Sequence, residues 1–502
     1  MSVARKILSN TAWQILGKAA VALLSLGVVK MSTNYLSVEG FGEYTLIYEF
    51  LAFFGIAADL GLYTIAVKEI SEDEEKTPQI IGNILTLRTF MVALTMIAAV
   101  IVVFAIPSYA DTRVPLGVAI ASITTFFTII NGTLTSVLQS RLQMHWASIT
   151  QIFGKAISVG MMAYIIFWGY PADSNLGFYM LVVAGIVGNF AMLLGTYYFV
   201  RKITPLDYQF DFQLWKKILI RSLPYGLALI LNTAYFRINS ILISMIRGQE
   251  EVAIYAVAMR MLEQLSILPL YFMNSVLPVL TKSLKENSGR HQTIIKYAFD
   301  FLTAISIPLV VGGVLLAYPI VFIVSTPDYL SRLSENFYGS DIAFKILVFA
   351  SLFQFLNVLF SFILIAKDRQ ARMLYINAAG VAFNVIFNLI LIPQFGFRGA
   401  AITSVICELF ILVLTFSTAK KYVPFSLNYK NLLKIIFSAM IMGVAIFLLQ
   451  PLTYSLIQNW NVLVLVPVGG VIYLAMLFAT KVVDKEMLKM LKKVDPQPQQ
   501  EN

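Results

Sequence analysis

"NLILIPQFGFRGAAITSV", residues 388–405, places two apolar runs on either side of a proline, a short polar turn and a glycine. The first run is expected to end at Pro393, because proline cannot continue the helical hydrogen-bond ladder. Gly396 permits a tight turn. Gly399, Ala400 and Ala401 open the second run with small side chains, which let helices approach closely where lipid is the solvent. The stretch therefore predicts two long apolar helices folded back on each other.

The rest of the chain repeats that pattern. It has 502 residues, 59% hydrophobic and 13% charged, with a mean hydropathy of +0.79. Soluble domains carry about a quarter charged residues, so the composition is that of an all-α polytopic membrane protein. The one cysteine, Cys407, excludes a disulfide within the chain. The first apolar segment lacks a small-residue cleavage site and reads as a retained helix.

A membrane helix needs about 20 mostly apolar residues. Fourteen stretches qualify: 7–36, 41–68, 78–106, 114–140, 145–168, 176–200, 214–246, 250–281, 292–325, 341–366, 370–392, 397–419, 430–449 and 459–481. The connections at 37–40, 141–144, 367–369 and 393–396 are short enough to join antiparallel neighbours. Basic residues favour cytoplasmic connections. With the N-terminus inside, Arg201, Lys202, Lys216, Lys217 and Arg221 fall in one inner connection. Lys282, Lys285, Arg290 and Lys296 fall in another, and Lys420, Lys421, Lys430 and Lys434 in a third, whereas the outer connections hold Arg113, Arg247, Arg332 and Arg398. Both termini are thus expected to be cytoplasmic. This asymmetry accounts for the net charge of +10 without nucleic acid. The acidic "SEDEEK" at 71–76 does not overturn it, since carboxylates weigh little in this rule.

The chain also echoes itself. "VEGFGEYTLIY" opens the second stretch and "QEEVAIYAVAM" the eighth, which sets Tyr44 over Tyr255 at an offset of 211 (255 − 44). "NLGFYMLV" and "QFGFRGAA" open the sixth and twelfth, and "SRLQMHWASI" and "KDRQARMLYI" precede the fifth and eleventh. Three matches in the same order point to two six-helix halves, residues 1–212 and 213–425, with two helices appended at 426–481. Repeated halves around a midplane site are a transporter signature.

The segments "FGEYTLIYEFLAFFGIAADLGLYTIAVKEIS", "VAIYAVAMRMLEQLSILPLYFMNSVLPVLTKSL" and "NVIFNLILIPQFGFRGAAITSVICE" resemble the multidrug/oligosaccharidyl-lipid/polysaccharide (MOP) exporter superfamily. The likeness is greatest to its polysaccharide transporter branch, the O-antigen flippase type, and covers nearly the whole chain. It implies two six-helix lobes forming a V around a central cavity, with alternating access. It also implies that an undecaprenyl- or other polyprenyl-diphosphate-linked glycan is carried across the cytoplasmic membrane. A lipid II flippase, a cation-coupled multidrug antiporter and a glycan-assembly scaffold are the competing readings. Six cations within apolar stretches and the extra helix pair count against the antiporter.

An ionisable group at bilayer depth costs at least ~2.5 kcal/mol by insertion scales, so each is a functional candidate. The cations are Lys18, Lys30, Arg88, Lys155, Arg237 and Arg260. They suit a cavity that replaces the water around a diphosphate, which arginine binds in a fork. The structural readings stand beside that one: Arg260 and Glu263, three apart on one helix, neutralise each other, while Lys30 and Arg237 snorkel to an interface. Lys345, near a helix end, reads as an interface anchor. Among the acids, Asp59 is either a charge partner or part of ion coupling. Asp300 either pairs with Arg88 or Arg260 or binds a coupling H⁺ or Na⁺, and Glu408 is either a protonatable site or a packing residue. Glu49 completes the set. Asn377, Asn384 and Asn388 either contact sugar hydroxyls or bond between helices. Tyr44, Tyr48, Tyr235 and Tyr255 either stack on sugar rings or sit at interfaces.

Enzymatic readings lack residues. His145 and His291 lie at helix ends, and no His/Cys/carboxylate cluster has metal-ligand spacing. "GFRGAA" is no phosphate-binding loop, since no Lys-Ser/Thr follows. The longest outer loop, 325–340, is too short for a membrane glycosyltransferase or ligase. The protein is therefore expected to be a monomeric non-enzyme without a cofactor, its partners being the bilayer, the lipid-linked glycan, and a glycan polymerase or glycosyltransferases. The tail, 482–502, reads as a short basic amphipathic helix followed by a disordered end.

Overall fold

A computed structural model describes residues 3–73, 75–286, 289–369 and 371–482. The expected amphipathic tail lies outside them, apart from its first residue. Among the described residues the structure is helical, and the only extended pairing is a bridge between Arg332 and Phe337.

The chain divides into two compact units, Met1–Ala253 and Ile254–Asn502. The first holds α1 (Val3–Tyr35), α2 (Val38–Asp59), α3 (Leu62–Glu72), α4 (Thr77–Ala105), α5 (Val114–Ser140), α6 (Met144–Tyr164), α7 (Asn175–Arg201) and α8 (Phe212–Arg247). Helix α9 (Gln249–Leu265) crosses the division. The second unit continues with α10 (Ile267–Lys285), α11 (Arg290–Leu315), α12 (Ala317–Val324), α13 (Ser340–Ala366), α14 (Ala371–Phe395), α15 (Phe397–Tyr422), α16 (Tyr429–Ile457) and α17 (Val462–Ala479).

Within the first unit α5 packs on α2, α4 and α7, α6 on α1 and α7, and α8 along α2 and α3. Leu62, Ala66, Ile70, Ile81, Leu134 and Val137 form a core at one end of this bundle. Within the second, α13 packs on α10, α11 and α15, α14 on α15, and α16 on α11 and α17. The core there is aromatic, with Phe355, Phe360 and Phe299 buried against Ile295 and Leu359. Tyr473 donates its hydroxyl to the Ala304 carbonyl at 2.8 Å and so fastens α17 to α11.

Among the described residues twelve helical runs are long and apolar enough to cross a membrane, or thirteen if the bent pair Leu229–Tyr235 and Arg237–Arg247 within α8 is counted as one. The fourteen spans expected from the sequence are not reached by this count. One reason is that Tyr429–Ala479, 51 residues, counts once. A 3₁₀ turn at Gln458–Asn461 divides it, and about 20 residues make one crossing of a ~30 Å core.

The stretch 388–405 folds as a hairpin with one correction. Pro393 does not end its helix, because α14 runs on to Phe395. A missing N–H so near a helix end removes only one ladder bond. The stop is Gly396, whose φ of 58° is left-handed and suits glycine. Its N–H reaches back to the Ile392 carbonyl at 2.8 Å, and its own carbonyl accepts from Gly399 at 2.9 Å. One residue therefore joins α14 to α15.

The two halves of the internal echo have matching elements. Helix α2 begins at 38 and α9 at 249, again 211 apart (249 − 38). Each is interrupted and then continues. The first breaks at Leu60 and Gly61, both left-handed (φ 42° and 74°), and the second at Ser266.

Candidate functional site

Of the carboxylates on helices α2 and α3, four meet an arginine from elsewhere in the first unit. Glu43 accepts from Arg113 Nε at 2.5 Å. Glu49 accepts from Arg237 Nη1 on α8 through both oxygens, at 2.7 and 2.9 Å. Asp59 accepts from Arg88 Nη2 on α4, and Glu69 from Arg221 on α8. An apolar helix places such groups at bilayer depth only with partners, since a lone charge there is costly. Glu49 lies 11 residues from the start of α2 (49 − 38), and Arg237 lies 10 from the end of α8 (247 − 237). At 1.5 Å per residue these are depths of ~16 and ~15 Å, halfway through a hydrocarbon core of ~30 Å.

Arg88 is 2% exposed, packed inside the first unit. Its Nη2 meets Asp59 Oδ1, while Asp59 Oδ2 accepts the Gly61 N–H at 3.2 Å. One carboxylate thus ties the broken end of α2 to α4. Next to this pair, the Tyr63 hydroxyl donates to the Gln139 side chain of α5.

At the other end of α2, Arg113 precedes α5 and binds Glu43 and, at 2.9 Å, Asp173. Its guanidinium lies 4.3 Å from the centre of the Phe178 ring. Burial works against its charge, but the hydrogen bonds it donates to Asp173 and Glu43 outweigh burial and raise its pKa above the usual guanidinium value. The Tyr35 hydroxyl donates to the Pro171 carbonyl at 2.9 Å on the same rim.

The second unit treats its acids differently. Glu408 is 7% exposed and accepts from Asn357 Nδ2 at 2.7 Å, an amide that also reaches the Glu408 carbonyl at 3.1 Å. Asp300, more deeply buried still, accepts from Asn431 at 2.7 Å and Asn428 at 3.2 Å, at the start of α16. Arg260 and Glu263 form the intrahelical pair read from their spacing, at 3.1 Å. Asn388 donates to Asn384 at 2.8 Å, one turn earlier on α14, and both are fully buried. Tyr255 shares a 3.3 Å hydrogen bond with Ser404.

Lys18 is exposed on α1, and Lys30, Lys155 and Asn377 are half-buried. Sequence reasoning had no grounds for choosing Glu43 with Arg113 and Asp173, or the amides of Asn357, Asn428 and Asn431. The only available sign was a carboxylate one turn inside α2, at "FGEY". Its partner Arg113 lies 70 residues away (113 − 43), and the second carboxylate that Arg113 holds, Asp173, lies 60 further on (173 − 113).

This architecture is shared with solved membrane transporters. The chain is similar to the lipid II flippase MurJ in an inward closed conformation, with a TM-score of 0.71 at 14% identity, over 95% of this chain and all of that one. It is similar to an inward-facing multidrug resistance MATE family transporter of the MOP superfamily, with a TM-score of 0.60 at 15% identity over 84% and 98%. These likenesses concern the fold. The protein is a multi-pass membrane transporter of the MOP superfamily. More narrowly, residues 7–284 match the model for the polysaccharide biosynthesis protein family, more than half of the chain, and the chain belongs to that family. Residues 224–390 also match the MatE model. A putative O-antigen transporter of Shigella flexneri is 21% identical over 56% of this chain and 68% of its own length. An uncharacterized membrane protein of Methanocaldococcus jannaschii is 25% identical over 94% of both.

Proposed function

We propose that this protein is a flippase that carries a polyprenyl-diphosphate-linked oligosaccharide across the cytoplasmic membrane by alternating access, both termini being cytoplasmic. Membership of the polysaccharide biosynthesis family and the O-antigen transporter relative support the cargo class. The observation that carries the chemistry is the state of the two deep, partly exposed arginines. Arg237 is 25% exposed and holds Glu49, and Arg260 is 30% exposed and holds Glu263. A phosphate oxygen offers a guanidinium the same charge-assisted hydrogen bond as a carboxylate does. A phosphate group arriving at Arg237 exchanges with Glu49, and one arriving at Arg260 exchanges with Glu263, so neither arginine stands unpaired in a low dielectric. Lys18, Lys30 and Lys155 add charge along the path. Arg88, enclosed with Asp59, holds the bundle together rather than meeting cargo. Glu408 or Asp300 takes a coupling H⁺ or Na⁺, and Asn377, Asn384 and Asn388 remain the candidates for sugar contact. The delivered unit is a substrate for a glycan polymerase or glycosyltransferase.

The test is a flip assay in liposomes holding a labelled polyprenyl-diphosphate oligosaccharide, read with a membrane-impermeant sugar-modifying enzyme. Protein-dependent exposure is expected. Arg237→Gln should lower its rate roughly tenfold, the equivalent of one hydrogen bond to a charged group. No exposure of the host's own lipid-linked glycan, with or without ion gradients, would sink the proposal. Faster exposure of lipid II than of the oligosaccharide lipid would move the assignment to the cell-wall precursor.

A further inference from the structure

The connection between α7 and α8 holds three large aromatic side chains in the open. Tyr208 is 62% exposed, Phe210 72% and Phe212 69%. This is not a loose loop. The Asp211 N–H donates to Asn83 Oδ1 at 2.7 Å, and the Gln209 N–H to the Gly82 carbonyl at 3.4 Å, so the connection is tied to the first turns of α4. Asp211 also caps α8, accepting from the N–H groups of Gln213 and Leu214 at 2.9 and 3.0 Å. Phe210 packs on Trp215 with ring centres 4.5 Å apart. The backbone fixes the aromatic side chains outward, although burying them would release apolar surface from water.

The surroundings say what covers them. The connection leaves one membrane-spanning helix, α7, and leads into the long apolar α8, so it lies at a membrane face. Arg201, Lys202, Lys216 and Lys217 are all exposed around it. Lys202 Nζ sits 4.0 Å over the Tyr198 ring and donates to that hydroxyl at 2.8 Å, and Tyr198 is itself 57% exposed. Of the two acids in the connection, Asp211 is occupied as the helix cap, which leaves Asp207 against four cations. Aromatic rings favour the headgroup level of a bilayer, and clustered cations at that level attract anionic lipid.

We propose that the 201–217 connection is a binding site for anionic phospholipid. Tyr208, Phe210 and Phe212 enter the glycerol and upper acyl layer, and Arg201, Lys202, Lys216 and Lys217 hold the phosphate groups. The site anchors the junction between α7 and α8 to the bilayer. It does not depend on which cargo the protein moves.

The test uses the full chain in phosphatidylcholine vesicles that contain phosphatidylglycerol. A fluorophore is attached through Phe210→Cys in a Cys407→Ser background. The bromine-chain quencher is placed either on phosphatidylglycerol or on phosphatidylcholine, at equal mole fraction. Brominated phosphatidylglycerol is expected to quench more strongly. Replacing Lys202, Lys216 and Lys217 by glutamine should erase the preference, lowering local enrichment roughly fivefold for each cation removed. These residues are exposed, so the variants test the site rather than folding. Equal quenching by the two lipids would overturn anionic recognition. Quenching by neither would mean that the aromatic side chains face water or another protein, which would overturn the site altogether.

Discussion

The two units hold their buried acids in different ways. On α2 and α3 of the first, four carboxylates meet an arginine from another part of the unit. In the second, Glu408 and Asp300 accept from asparagine amides, and the ion pair Arg260–Glu263 lies within one helix. An arginine supplies a full charge and a fixed fork, so it pins two helices in one register. An amide supplies only a dipole and makes no demand for a full opposite charge. Where the pair is enclosed, as at Arg88 and Asp59, the first arrangement suits a frame, and the second suits a group whose charge changes during a cycle.

The largest effect expected from this contrast is at Arg88. Arg88→Ala leaves Asp59 without its cation in a nearly closed site, and breaking such a pair costs about 3–5 kcal/mol. The thermal midpoint of the purified protein should fall sharply, and Arg88→Met with Asp59→Leu should recover part of it. A midpoint unchanged in Arg88→Ala would mean that the pair is not a frame element.

Asn357→Ala should come next. It removes one hydrogen bond to a carboxylate, with a stability loss of about 1.5–3 kcal/mol. The same measurement on Asn431→Ala should give a similar value. Losses as large as that of Arg88→Ala would erase the distinction between arginine and amide partners.

Some of this was legible in the sequence and some was not, for geometric reasons. Helix periodicity and apolar length announced a membrane bundle, and the offset of 211 foretold where α2 and α9 begin. The Arg260–Glu263 pair was legible because i,i+3 partners share a helix face whatever the tertiary fold. Asp59–Arg88 was not, since 29 residues separate the partners and only the packing of α2 on α4 brings them together. The sequence left Asp59 without a named arginine and gave Arg88 a place facing cargo. The breaks at Leu60 and Ser266 were also hidden, because a single left-handed or bent residue leaves apolar periodicity almost undisturbed. The hairpin at 393–396 was placed correctly, but its stop was assigned to proline when glycine's positive φ supplies it.

Glu408→Gln tests the second half of the contrast. The glutamine carbonyl still accepts from Asn357, so stability should change by no more than about 1 kcal/mol. Transport driven by an imposed ion gradient should nevertheless lose its dependence on that gradient. Gradient-driven transport at the normal level would return Glu408 to a packing role and leave Asp300 as the acid to examine.

The smallest effect should lie at the connection between α3 and α4, where Lys76 Nζ donates to Asp73 at 2.5 Å with both groups in solvent. The hydrogen bond from Lys76 holds the Asp73 pKa below its ordinary value of 3.8 against an opposing effect of desolvation. A carboxyl whose pKa is depressed by folding adds stability above the unfolded value, and that stability is lost as the pH falls through the folded one. Any contribution from this pair is therefore present at neutral pH and vanishes only in strong acid, and at an exposed pair salt screens it further. Asp73→Asn should leave the thermal midpoint at neutral pH indistinguishable from that of the unmodified chain, and the two should still coincide in high salt. If Asp73→Asn instead matched the loss of Arg88→Ala, depth in the bundle would not be what gives the first unit's ion pairs their weight.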